Sequence, residues 1–297
     1  MPARLRRIDY TGARTHGARV VPILKTQKEA PLRLTMLGTG NAVVTRYYNT
    51  CFVLSEGGRH LLVDGGGGNA LLGRLREAGI DWREVREVFV THRHIDHLLG
   101  IVWLVRMVTQ AMERGDLEGE VTLVSHTEVL DLLRRMAHDL LAPADAAHVD
   151  ERLRLVEVDD GDVLDLIGHR TTFFDIGSTK ATQFGFVMEL GEGRRLTCCG
   201  DEPCPPRAED HVRGSAWLLH EAFCLWEDRD VFRPHEKHHS TVREACELAE
   251  RLGVENVVLY HTEDATFPDR RRRYTEEGRR YFTGGIWVPD DLDAIEL

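Results

Sequence analysis

The run Thr91-His92-Arg93-His94-Ile95-Asp96-His97 constrains this chain more than any other stretch. It packs three imidazoles and a carboxylate directly after an apolar run, Val85 to Val90, that reads as a short strand. Leu98 to Met112 follows and reads as a helix, with Leu98, Ile101, Val102, Val105, Val108 and Met112 on one broad apolar face. The cluster therefore occupies a strand-to-helix turn. Side chains two apart on an extended backbone share a face, so His92 and His94 can grip one cation together. Asp96 and His97, beyond the turn, are directed elsewhere and can grip a second. That density of ligands is hard to explain without metal, and two ions about 3.5–4 Å apart are what a divided set supports.

Composition narrows the setting. With 297 residues and 42% hydrophobic content the chain can build one large or two small cores. A formal net charge of -11 argues against a surface that is wholly a nucleic-acid platform. No run approaches the roughly 18 apolar residues of a membrane span, and the N-terminus lacks the apolar core of a secretory signal, so a cytoplasmic location without membrane contact is expected. The six cysteines, including adjacent Cys198 and Cys199, read as reduced thiols. Residues 1–30 are locally basic without a sustained period and read as an extension; residues 31–297 read as one domain.

Leu32 to Leu37, Thr50 to Leu54 and His60 to Val63 alternate like strands, and the last delivers Asp64 onto Gly65 to Gly68. Glycines there let other backbone approach, which suits a carboxylate that orients the histidine loop without binding the ion. A helix at Asn69 to Gly79, a strand at Val121 to Val124, a helix at Thr127 to Leu141 and a strand at Arg152 to Val158 complete the first half. The second half repeats the style, with strands at Thr171 to Ile176, Phe184 to Leu190, Arg195 to Cys199 and Val257 to Tyr260. Two such halves packed sheet to sheet give an α/β fold with layers α, β, β, α. Gly200-Asp201-Glu202 sets a carboxylate at a strand end, where its two oxygens can bridge two cations. Ser240-Thr241 reads as the N-cap of a helix whose core face is Val242, Ala245, Cys246, Ala249 and Leu252.

Thr-His-x-His-x-Asp-His at 91–97 resembles the signature of the metallo-β-lactamase-fold hydrolases, and its companions follow in order. Leu218-Leu219-His220-Glu221-Ala222-Phe223 and His238-His239-Ser240-Thr241 resemble the His-Glu-Ala-Thr and His-Ser-Thr motifs of the ribonuclease Z-like, phosphodiesterase branch, with Phe223 in place of threonine. The resemblance covers residues 31–297. It implies a four-layer αββα sandwich with a dinuclear metal site at the edge of the two β-sheets. His92, His94 and Asp201 would hold the first ion, and Asp96, His97, Asp201 and His261 the second. Zinc is the first choice of metal, with manganese or iron as alternatives. Asp64 would orient the ligands from behind.

The same resemblance implies a mechanism: a metal-activated hydroxide attacks phosphorus, Asp96 receives the water's proton, and His239, held by Glu221, protonates the leaving oxygen. Arg273, in Arg273-Tyr274, is the candidate phosphate contact. One member is missing. Gly177 stands where the family places another histidine ligand, which implies a weaker first site, with His126 or His169 as substitutes. The family's RNA-processing members carry a long inserted arm, for which Phe184 to Asp201 is too short. The expected substrate is therefore a small phosphodiester or a nucleic-acid-derived one, acted on by a homodimer. The alternatives are a nonphosphate ester (sulfate, lactone or thioester) and a degenerate, noncatalytic metal-binding protein.

Overall fold

Short apolar runs broken by glycine turns collapse here into strands buried on both faces, and helices then cover the outside. A computed structural model describes residues 31–297; the basic extension, 1–30, lies outside the described residues. The first half supplies β1 (Arg33–Gly38), β2 (Cys51–Glu56), β3 (Arg59–Val63), β4 (Val85–Phe89), β5 (Val121–Ser125) and β6 (Leu153–Glu157). The second supplies β7 (Val163–Leu166), β8 (His169–Asp175), β9 (Phe184–Glu189), β10 (Arg195–Cys198), β11 (Trp217–Glu221), β12 (Asn256–Tyr260), β13 (Gly285–Trp287) and β14 (Ala294–Glu296). They form two seven-stranded sheets, ordered β14-β1-β2-β3-β4-β5-β6 and β13-β12-β11-β10-β9-β8-β7.

Between the sheets lies a shared core that includes Leu34, Met36, Phe52 and Phe89 from one side and Phe173, Phe186, Met188 and Val258 from the other. The Phe89 ring crosses the gap, 5.1 Å from Phe173 and 5.7 Å from Phe186. Helices α1 (Ala70–Glu77), α2 (Ile95–Arg114) and α3 (Thr127–Leu140) close the outer face of the first sheet. The helix Val242–Arg251, with buried Val242, Ala245, Cys246 and Ala249, closes that of the second. The layers are thus α, β, β, α, the expected sandwich.

Within each sheet a run of parallel strands, β3 to β6 and β10 to β13, aligns its C-terminal ends on one edge. Such ends are where open α/β sheets place ligand-binding loops. Asp64 follows β3, Thr91-His92 follows β4, Asp201 follows β10, Glu221 ends β11 and His261 follows β12. The expected elements recur within a few residues; the helix read as Leu98 to Met112 begins three residues earlier, at Ile95. β7, β11, β13 and β14 were not read as strands; β7, β13 and β14 have only three or four residues and so carry few alternations.

Glycine allows a close contact that seats α2 against the turn after β3. A Cβ on Gly100 would stand 1.8 Å from the Gly65 carbonyl oxygen, and Gly65 in turn donates to the His97 carbonyl at 2.8 Å. Both sides of that contact are backbone, so neither yields. Gly100→Ala is expected to destabilise by about 3 kcal/mol or more, read as a fall in the urea midpoint at unchanged slope.

Candidate metal centre

Two residues at this edge hold left-handed backbone that non-glycine residues seldom adopt: Asp64 at φ 58° and His261 at φ 57°. Each sits just past a strand end, and the strained turn brings its side chain into the centre. Asp64 then organises the histidine loop. Its Oδ1 accepts from the Thr91 amide at 2.8 Å, and its Oδ2 accepts from the Thr91 hydroxyl at 2.8 Å and from His97 Nδ1 at 2.7 Å. Since the Thr91 hydroxyl gives its proton to Asp64, its oxygen accepts from His92 Nδ1 at 2.9 Å. One carboxylate therefore keeps the proton on Nδ1 of both imidazoles and turns both Nε2 atoms toward Asp201.

Those ligand atoms converge. His92 Nε2 is 2.8 Å from His94 Nδ1 and 3.7 Å from Asp201 Oδ1. His97 Nε2 and His261 Nε2 each lie 3.5 Å from Asp201 Oδ2, and 3.4 and 3.5 Å from Asp96 Oδ2. The two oxygens of Asp201 thus face two different groups of nitrogens. His92, His94 and Asp201 form one set with ligand atoms within 4.8 Å of one another, and Asp96, His97 and His261 form another. A third set, Asp201, His239 and His261, adds an imidazole that the sequence reading assigned only to proton transfer.

The chemistry of the donors fits divalent cations. His97 Nε2, Asp201 Oδ1 and both ring nitrogens of His261 are buried without a hydrogen-bond partner, an unfavourable arrangement that a cation at the common focus would satisfy. The charges point the same way. Burial pulls His92 well below the ordinary imidazole range and lowers His94, so both favour the neutral, ligating form. Burial opposes charge on His97 too, but Asp96 and Asp64 outweigh it and hold that ring protonated. Asp201 and Asp96 are held ionised, against their burial, by the surrounding histidines.

A proton-linkage prediction follows from His97. Its folded value is raised above the ordinary 6.5, so its contribution to the stability of the cation-free protein is fully present below about 6.5 and is lost as pH rises through the folded value. A cation can bind only after that proton leaves. Loading near neutral pH is expected to release about one proton per chain from His97. Calorimetric titration in two buffers of different ionisation enthalpy measures it, and affinity should strengthen as pH rises.

The Glu221–His239 pair differs from the expected dyad. His239 Nδ1 donates to the Asp201 carbonyl at 2.8 Å, while Glu221 Oε2 stands 3.8 Å away, beyond hydrogen-bond reach. Glu221 Oε1 instead accepts from the Ser240 amide at 2.5 Å. The carboxylate therefore fixes the backbone of the turn, and the turn fixes His239. Burial raises Glu221 well above the ordinary carboxyl range and pulls His239 down to about 3. The His239 ring, stacked at 4.8 Å on Phe223, lines a cleft of about 590 Å³ with His94, Asp96, Asp201 and His261. The helix cap is Thr241, in a capping box with Glu244, and not Ser240.

Three further expectations need correction. Arg273 does not reach the cleft; it pairs with Glu227 at 2.7 Å on the outside. The inward arginine of that run is Arg270, fully buried and bonded to Thr39, Thr262 and Asp290. Neither proposed substitute for the absent histidine joins a ligand set. His126 is buried against Phe184 with both ring nitrogens unpartnered, and His169 bonds Glu56. Nothing local could have located the loop Asn41-Ala42-Val43, which lines the cleft from the far end of β1.

Residues 32–282 match the family model described as "Anti-Pycsar protein Apyc1". A Ribonuclease Z of Pyrobaculum arsenaticum is 30% identical over 294 residues, covering 89% of this chain and 98% of that protein. The chain belongs to the Apyc1 family of ribonuclease Z-like, metallo-β-lactamase-fold hydrolases. Solved structures agree on the fold. The metallo-β-lactamase fold protein YhfI from Bacillus subtilis superimposes with a TM-score of 0.70 at 16% identity, covering 90% of this chain and 100% of that one. The short form of human tRNase Z gives 0.66 at 19% identity, covering 89% and 98%. The chain is thus a metal-dependent hydrolase, and its convergent His and Asp donors could hold the metal.

Proposed function

We propose that this chain is a phosphodiesterase acting on a small phosphodiester, with zinc as its metal. The observation that carries the reading is the position of His239: its Nδ1 is committed to the Asp201 carbonyl, and its ring lines the cleft beside His261, 5.0 Å away between centroids. A proton donor facing the metal ligands across the reacting space is what expulsion of an alkoxide requires. The relatives' name, ribonuclease, points to the same bond class.

His92, His94 and Asp201 would hold one ion, and Asp96, His97, Asp201 and His261 the other. Cations bound there supply Lewis acidity toward water and toward the phosphoryl oxygens. The chain's own residues do the rest. Asp64 orients the ligands, Asp96 sits within reach to accept a proton, and His239 Nε2 is left free for the leaving oxygen. An anionic phosphoryl group beside that ring favours its protonated form, which offsets the burial that lowers it.

A small substrate fits better than a folded RNA. The chain between β9 and β10 turns in a tight hairpin, with the Leu190 amide on the Arg194 carbonyl at 2.9 Å, and has no arm there with which to grip one. A cleft of about 590 Å³ also has the size of a small-molecule site. The test is a panel on zinc-loaded protein: 3′,5′-cyclic mononucleotides, bis(p-nitrophenyl) phosphate, a precursor tRNA and a thioester. Turnover of the small diesters well above the others supports the reading. Preference for the tRNA or the thioester sinks it.

A further inference from the structure

Lysine is rare in this chain. Of 38 basic residues, 34 are arginine and four are lysine, namely Lys25, Lys28, Lys180 and Lys237. Within residues 31–297 there are 29 arginines and only two lysines. Both of these line the cleft that holds the metal ligands. A chain that uses guanidinium almost everywhere keeps its two ammonium groups at one place, which is hard to ascribe to surface charge alone.

Their surroundings separate them from ordinary surface cations. Lys180 lies in the loop between β8 and β9, three residues after Gly177, the position lacking the family's histidine. Gly177 has φ 73°, a backbone conformation that a residue with a Cβ adopts only under strain. The same loop delivers an ammonium instead. Lys180 Nζ is 3.2 Å from Glu202 Oε1 and donates to the Lys237 carbonyl at 2.8 Å, tying the two lysine segments together. Lys180 lines the same cleft as His94 and His239. Lys237 Nζ lies 4.8 Å over the Phe223 ring, and no carboxylate among the described residues pairs with it. Arg93, the other cation of this cleft, pairs with Glu128 at 3.2 Å, as Lys180 does with Glu202, so Lys237 is the cleft cation without a carboxylate partner among the described residues.

An ammonium beside a metal centre repels a cation and attracts an anion. Against a net charge of -11, an anionic substrate needs such a local reversal of field. Lysine suits the task because its compact charge and three rotatable donors can follow non-bridging oxygens without the planar match a guanidinium demands. We propose that Lys180 and Lys237 form an anion clamp that holds the non-bridging oxygens of the substrate's phosphoryl group over the metal centre. The inference rests on the phosphodiesterase reading for its substrate, but the clamp can be measured without turnover.

The experiment compares wild type, Lys180→Gln, Lys237→Gln, Lys180→Arg and, as a control outside the cleft, Arg273→Gln, all zinc-loaded and with metal content checked. The probe is inorganic phosphate, titrated calorimetrically. Each glutamine variant should weaken phosphate binding about tenfold at unchanged metal content; Lys180→Arg should retain most of it and Arg273→Gln all of it. With a phosphodiester, KM should rise more than kcat falls. Phosphate affinity within about twofold of wild type in both glutamine variants overturns the clamp. Should Lys180→Gln lose metal because its loop shifts, Lys237→Gln, which breaks no ion pair, decides the matter. Absence of turnover in wild type would count against the phosphodiesterase reading and leave the phosphate result to judge the clamp.

Discussion

Asp201→Ala is expected to lower turnover by at least about a thousandfold and to deplete bound metal at both positions. The reason is its placement at the focus of both ligand sets. One oxygen faces His92 Nε2 at 3.7 Å, and the other faces His97 and His261 Nε2, each at 3.5 Å. Changing groups that only support a metal ligand typically costs about 10–100-fold in affinity or activity; removing a ligand shared by both sets should exceed that. The change also strips the countercharge from a protonated His97. Elemental analysis beside a steady-state assay measures both losses. Retention of full metal content with near-normal turnover would remove Asp201 from the centre.

His239→Ala carries the second large effect, and it should depend on the leaving group. For a diester that expels an alkoxide, kcat is expected to fall about 10²–10⁴-fold. For bis(p-nitrophenyl) phosphate, whose leaving group is already a stable anion near neutral pH, the loss should be much smaller. Metal content should hold if the ring is not itself a ligand. Equal losses on both substrates accompanied by loss of metal would instead make His239 a ligand, as its proximity to Asp201 and His261 permits.

What was legible in the sequence follows from how local each signal is. The histidine cluster lies within six residues of chain on one strand-to-helix turn, so spacing alone exposes it. Asp201 and His261 are distant in sequence and mean little singly; they acquired meaning through their order after that cluster. Side-chain orientation was not legible. Whether Glu221 faces the His239 ring or the Ser240 amide depends on a register between β11 and a turn that no local pattern encodes. Likewise, four consecutive arginines look alike until the helix has a phase against the core, which sends Arg270 inward to Thr39, 231 residues away, and Arg273 outward to Glu227. Lys180 and Lys237, each taken alone, resemble any surface cation; only the scarcity of lysine elsewhere singles them out.

The most direct measurement is a titration of metal-free protein with zinc, and separately with manganese, while hydrolysis of bis(p-nitrophenyl) phosphate is followed at each step. No turnover without cation, and full turnover only after about two equivalents have bound, is the expected result. Protein loaded with either metal that cleaves no phosphodiester, or metal-free protein that cleaves it at the same rate, would contradict a metal-dependent phosphodiesterase.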